Sequence, residues 1–288
     1  VTVGGIRLHY LDWAGGEDDV LLLVPGMENS AHVYRALAPA LAGRMRVVAV
    51  SPRGHGPSEA PAHGYGVAAS AVELAGFLDA LGIARAAVAG HSLAGQVVTR
   101  LAADHPERVS RLVYLDGVYD YGGWGQVQRR RPVHPPAPEP GVAQEAWLAR
   151  HVYGFWDEAL HADWQARPGA EESARRREHF AELLEDVIRQ PAPYARVRCP
   201  ALALVAAETV ETVFPWLEPG DAERGARAEA YLREVREPWR RAAVERFRRE
   251  AADGRVVEVD GHHFLHLTSV ARVAAEMLAF LLPAGGGR

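Results

Sequence analysis

One ten-residue segment, Ala86–Gly95 (AAVAGHSLAG), restricts the folds open to this chain more than any other part of it. The apolar run AAVA has the length and composition of a buried strand. It breaks at Gly90-His91-Ser92-Leu93-Ala94-Gly95, and QVVTRLAADH then continues as an apolar, helix-favouring run. A strand, a sharp turn with serine at its apex and a helix must pass very close to one another. The positions two before and two after the serine therefore have to be small. They are Gly90 and Ala94; the pattern for such a turn ends in glycine, which here comes one residue later, at Gly95. In an alanine-rich chain the string alone says little, and its weight comes from the strand before it and the helix after it.

The rest of the first 116 residues repeats the alternation. Ile6–Leu11, Val20–Val24, Val47–Val50, Ala86–Ala89 and Leu112–Leu115 read as strands, while Val33–Leu41 and Val67–Leu81 carry apolar residues at helical spacing, the latter ended by Gly82. Short buried strands alternating with helices imply an α/β fold with a mostly parallel sheet covered on both faces. The pattern breaks after Asp116. Residues 119–195 hold Trp124, Trp147, Trp156 and Trp164, a proline-rich stretch at 131–140 and the charged run ESARRREHFAELLEDVIR. This segment reads as a helical cap inserted into a core formed by 1–118 and 196–288. The core resumes with the strand Ala201–Ala206, a second helical stretch near 221–251, the strand Val256–Val259 and a closing helix Val270–Leu282. The arginine runs Arg129–Arg131 and Arg175–Arg177 read as solvated faces.

Composition removes several classes. A chain of 288 residues, 48% hydrophobic and 24% charged, is able to bury a full core. Its net charge of -5, from 32 basic and 37 acidic residues, lacks the basic footprint of a nucleic-acid binder. The single cysteine, Cys199, excludes an intrachain disulfide and reads as a small buried residue. No stretch has membrane-spanning length or the apolar core of a signal peptide, so cytoplasmic is the default expectation, with no membrane or nucleic-acid partner. No glycine-rich phosphate loop is present, and no cofactor is expected.

Several strings then coincide in order and spacing: VLLLV leading into Pro25-Gly26-Met27, SPRGHGPSE at 51–59, GHSLAG, HPERVSRLVYLD at 105–116 and VDGHHFLHL at 259–267. Together they resemble the α/β-hydrolase superfamily across almost the whole chain outside the cap, and most nearly its capped bacterial small-molecule hydrolases and esterases. The resemblance implies an α/β-hydrolase fold with the cap inserted after the sixth strand.

A serine hydroxyl needs a base to take its proton and a third group to orient that base. Ser92 is the candidate nucleophile. His263 and His262 compete for the base, and the family string Gly-x-His favours His263. A metal site from His262, His263 and His266 lacks a carboxylate or cysteine at ligand spacing. The acid has three candidates. The position after ALALVA where the family usually carries it falls near Val210, with Glu208 and Glu211 displaced on either side. A variation in the superfamily places it one strand earlier, where Asp116 ends LVYLDG, and Asp116 is favoured. Asp120 reads as a cap-hinge residue. The oxyanion of a tetrahedral intermediate would be held by the backbone N–H groups of Leu93 and Met27. His91 reads as a structural or pocket-lining residue, and His55 as a turn residue.

The expected function is ester hydrolysis through an acyl-enzyme, on a small or medium lipophilic substrate bound near Trp124, Trp147 and Trp156. Lactone, amide or carbon–carbon cleavage and acyl transfer would use the same residues. From a different class comes a non-catalytic ligand binder of the same fold, supported by Val210 at the usual acid position. An elbow serine in place of aspartate argues against epoxide-hydrolase and haloalkane-dehalogenase chemistry.

Overall fold

The computed structural model describes residues 1–15, 19–139, 141–218 and 220–282, and of Ala170, Ala174 and Arg175 the backbone alone. Pro140, at the end of the proline-rich stretch, and the Arg175 side chain thus lie outside the described residues.

Strands β1 (Thr2–Val3) and β2 (Ile6–Arg7) pair with each other as a small antiparallel ladder. Then come β3 (Tyr10–Trp13), β4 (Val20–Val24), α1 (Leu37–Ala42), β5 (Arg46–Val50), α2 (Val67–Ala80), β6 (Ala86–His91), α3 (Ala94–Asp104) and β7 (Val109–Leu115). The described residues between β7 and the next strand hold no strand but, besides shorter 3-10 and π turns, four α-helices, α4 (Trp124–Arg129), α5 (Gln144–Leu148), α6 (Glu158–Gln165) and α7 (Ala170–Arg189). The chain closes with β8 (Ala201–Ala207), α8 (Val210–Val213), α9 (Ala222–Tyr231), α10 (Glu237–Glu250), β9 (Gly254–Asp260), α11 (Leu265–Thr268) and α12 (Val270–Leu281).

The seven-stranded sheet runs β3-β5-β4-β6-β7-β8-β9; β3 is antiparallel to β5 and every other pairing is parallel. Side chains alternate across it with the two-residue period of a strand. Val20, Leu22, Val24 and Val88 pack on one face with residues of α2, α3 and α10, whereas Leu21, Leu23, Ala87 and Ala89 pack on the other with residues of α1 and α12. The sheet is thus buried on both sides, as the continuous apolar strands require. The loops that carry the candidate site residues collect at its carboxyl edge, where β4, β6, β7 and β9 deliver Met27, Ser92, Asp116 and His263.

Several local expectations are corrected. The helices between β7 and β8 follow the fifth strand of the large sheet rather than the sixth. The single strand expected at Ile6–Leu11 is divided between β2 and β3. The helix expected at Val33–Leu41 is a 3-10 turn, Ala31–Tyr34, followed by α1. Arg131 is not a solvated residue: it lies over the rings of Phe214 and Trp216 and donates to the Val213 carbonyl. Arg176 likewise donates to the carbonyls of Gly54 and Gly56. Cys199 is half-buried at the margin of the core. The helices after β8 share an apolar cluster with the segment after β7, in which Val127 and Val133 meet Phe214, Trp216, Ala228 and Tyr231.

Candidate active site

The turn after β6 has the strain its sequence implies. Ser92 has φ 53°, one of three non-glycine residues in the left-handed region among those described; the others are Glu28 and Asp116. A Cβ on Gly90 would stand 2.8 Å from Val98 Cγ2 and 2.9 Å from the Ala94 carbonyl oxygen. A Cβ on Gly95 would collide with the Gly117 peptide. After the serine, the position that cannot take a side chain is therefore 95. Ala94 is tolerated because the close approach falls one residue later than in the usual pattern.

His263 lies in the loop after β9, with its ring between two partners. Nε2 is 2.9 Å from Ser92 Oγ, and Nδ1 is 2.6 Å from Asp116 Oδ2. Asp116, at the end of β7, is fully buried. Its backbone N–H donates to the Leu204 carbonyl at 2.8 Å, and its Oδ1 accepts from the Ala206 N–H at 2.9 Å and from the Tyr119 hydroxyl. Burial alone would raise the Asp116 carboxyl. The hydrogen bond from His263 and the nearby positive charges outweigh it, so the group stays below the ordinary carboxylate range. Arg240 stands behind this arrangement, with Nε 3.3 Å from the Tyr119 oxygen and Nη2 bonded to the Ala206 carbonyl.

The other candidate acids lie elsewhere. Glu208 is buried in a two-pronged ion pair with Arg236, both contacts at 2.5 Å, and is 3.6 Å from Arg240. Glu211 sits in α8, whose first turn is capped by Thr209 and Thr212, so Val210 begins a short helix. His262 is turned from Ser92; its ring stacks on Phe264 and burial lowers its pKa to about 4. His91 is buried against Gly26, and its Nε2–H donates to the His263 carbonyl at 3.1 Å. It thereby ties the serine turn to the histidine loop without touching the serine hydroxyl. His55 hydrogen-bonds to the Arg53 carbonyl within its turn. Asp120 caps the 3-10 turn Tyr121–Gly123 by accepting from the Gly122 N–H.

The N–H of Leu93, just before α3, and that of Met27, after β4, donate to no backbone acceptor among the described residues. The loop beyond Met27 is held from the insertion. Asp163 of α6, only 1% exposed, accepts from the Ser30 N–H and Ser30 hydroxyl at 2.6 Å each and from Asn29 Nδ2 at 3.0 Å. Of the three tryptophans, Trp124 packs on Tyr121 and Trp239, Trp156 on Tyr153, and Trp147 on His151 with its indole N–H on the Pro136 carbonyl. Tyr121, 6% exposed, brings its hydroxyl to Ser92. Tyr119, Tyr121, Arg240 and Asp163 escaped the sequence reading. Only the short spacing of Tyr119 from Asp116 hinted at any of them; the others reach the site through tertiary structure.

No group of His, Cys, Asp and Glu side chains among the described residues is arranged to hold a metal ion. No helix among them is long and apolar enough to cross a membrane.

Comparison with known proteins agrees with this architecture. Residues 19–185, more than half of the chain, match the family model described as alpha/beta hydrolase fold. A fluoroacetate dehalogenase from Burkholderia sp is 33% identical over 134 residues, 45% of this chain and 43% of that protein. The magnesium-chelatase 30 kDa subunit of Rhodobacter capsulatus is 34% identical over 120 residues, 41% of this chain and 42% of that one. Both matches span less than half of the relative. Among solved structures, E-2-(acetamidomethylene)succinate hydrolase superposes with a TM-score of 0.71 at 22% identity, covering 96% of each chain, a likeness of fold. The family match over residues 19–185, which hold strands β4 to β7 of the seven-stranded sheet, shows that this chain belongs to the alpha/beta hydrolase fold family.

Proposed function

We propose that this protein is a serine hydrolase that cleaves carboxylic esters through an acyl-enzyme. The observation that carries the reading is the continuous chain Asp116···His263···Ser92, at 2.6 and 2.9 Å. Asp116 accepts a hydrogen bond from His263 Nδ1–H, which keeps the proton on Nδ1 and leaves the Nε2 lone pair facing Ser92. His263 accepts the serine proton as Oγ attacks the ester carbonyl, and returns it to the departing alcohol. A water then repeats the sequence on the acyl-enzyme. The charge on the tetrahedral oxygen falls to the N–H groups of Leu93 and Met27, which donate to no backbone acceptor among the described residues. Trp124, beside Tyr121, and Trp156, in a cluster with Phe264, would line the approach, and Trp147 would sit farther out in the cap. The cap is read as 119–195 and the core as 1–118 with 196–288. Cytoplasmic residence remains part of this reading.

The first test is intact-mass analysis and peptide mapping after exposure to a fluorophosphonate. A single adduct on Ser92, lost in Ser92→Ala together with at least about 10⁴-fold of ester turnover, is the expected result. Near-normal turnover by Ser92→Ala refutes the mechanism. Unlabelled Ser92 in folded protein favours the ligand-binding alternative.

A further inference from the structure

A second feature of the same site bears on what it accepts. Beside Met27 and Leu93 lies a narrow cavity of about 30 Å³, lined by these two residues with Leu74, Val97, Leu183 and Tyr65. Its lining is mostly apolar, with one exposed demand. The Tyr65 ring is 2% exposed, and its hydroxyl is buried with no hydrogen-bond partner among the described residues. A buried hydroxyl left unpaired costs on the order of 1–3 kcal/mol, so a partner that enters the cavity is favoured there. The charged neighbours do not supply it: Arg53 and Glu73 neutralise each other at 2.6 Å.

From this geometry we infer that the cavity is an acyl pocket selecting a short acyl group that ends in an uncharged oxygen. The inference rests on the serine-hydrolase reading. Three arguments fix its terms. The cavity borders Met27 and Leu93, whose N–H groups would hold the carbonyl oxygen, and neither Ser92 nor His263, the residue that must reach the leaving alcohol. The pocket therefore receives the acyl side of the ester. A water takes roughly 10–15 Å³ of such space, so the cavity holds about two or three heavy atoms beyond the carbonyl carbon. The Tyr65 O–H donates to a hydroxyl or keto oxygen; a carboxylate finds no free cation, since Arg53 is already paired.

The test compares 4-nitrophenyl butanoate with its isostere 4-nitrophenyl 3-hydroxypropanoate, and a saturated series from acetate to octanoate, in the wild type and Tyr65→Phe. The isosteric pair places a methyl or a hydroxyl at the same point, and comparing ratios between variants cancels the intrinsic reactivity of each ester. The wild type is expected to lose at least tenfold in kcat/KM between butanoate and octanoate. The hydroxypropanoate-to-butanoate ratio is expected to fall at least tenfold in Tyr65→Phe. An unchanged ratio, or octanoate turned over as fast as butanoate, overturns the pocket assignment while Ser92 still labels with fluorophosphonate. If no ester is cleaved and Ser92 does not label, the hydrolase reading falls and the pocket falls with it. The chain-length series needs no variant, so it decides even if Tyr65→Phe misfolds.

Discussion

Asp116→Asn probes the proposed triad with almost no change of shape. Asp116 Oδ1 accepts from the Ala206 N–H and the Tyr119 hydroxyl, while Oδ2 faces His263 Nδ1. An asparagine can satisfy Ala206 and Tyr119 only with its carbonyl oxygen. The reverse orientation would point its NH₂ at two donors and strand both in the interior, at about 1–3 kcal/mol each. The amide NH₂ is thus directed at His263 Nδ1, which must then be the acceptor, and the ring proton moves to Nε2. In that tautomer Nε2 faces Ser92 as a donor and has no lone pair for the serine proton. The corresponding loss in serine–histidine–aspartate enzymes is about 10⁴-fold in kcat, equivalent to about 5.5 kcal/mol of barrier at 1.36 kcal/mol per tenfold. Steady-state turnover of 4-nitrophenyl butanoate measures the rate, and long-range ¹⁵N–¹H correlation of the imidazole reports the tautomer directly. A loss below tenfold, or an imidazole still protonated at Nδ1, refutes the reasoning.

Other outcomes follow from the same contacts. Glu208→Gln breaks the buried pair with Arg236 and should cost about 3–5 kcal/mol of stability by urea titration; a kcat loss approaching that of Asp116→Asn would return Glu208 to the role of the acid. Asp163→Ala strands three donors on Asn29 and Ser30 and frees the loop beyond Met27. A lower melting temperature with a fall mainly in kcat is expected, and a change confined to KM would disconnect this loop from the oxyanion site. Burial, then the neighbouring His263, lowers the pKa of His266 to about 3. Since an unfolded histidine titrates near 6.5, its neutral burial stabilises the fold fully above that pH and loses this contribution as the pH falls towards 3. At pH 4.5 the loss is on the order of 3 kcal/mol. His266→Phe should therefore lose less stability than the wild type between pH 7 and 4.5 in urea titrations, and an equal loss would contradict the assignment.

The fold was legible where local pattern and tertiary structure demand the same thing. VLLLV and AAVA are apolar throughout because both faces of their strands are covered. The serine turn was visible because the crossing of β6 and α3 excludes side chains at Gly90. Asp116 was readable as a strand-end carboxylate, but the choice between it and Glu208 needed the ion pair with Arg236, 28 residues beyond Glu208. Tyr119 and Arg240, which complete the surroundings of Asp116, are 121 residues apart, and nothing in the local sequence of Arg240 marks it. Arg131 misled for a related reason. An arginine run is solvated by default, and only the later fold of Phe214 and Trp216 beneath one of its members makes that member a packing residue.

The collision that bars a side chain from position 95 also bears on how such proteins are recognised and altered. A search string that insists on glycine two residues after the serine passes over this chain. Randomising 95 while restoring glycine at 94 would keep the written fingerprint and wedge the serine turn away from the peptide that follows Asp116. The rule that survives both cases concerns clearance between two backbones, whichever residue number happens to provide it.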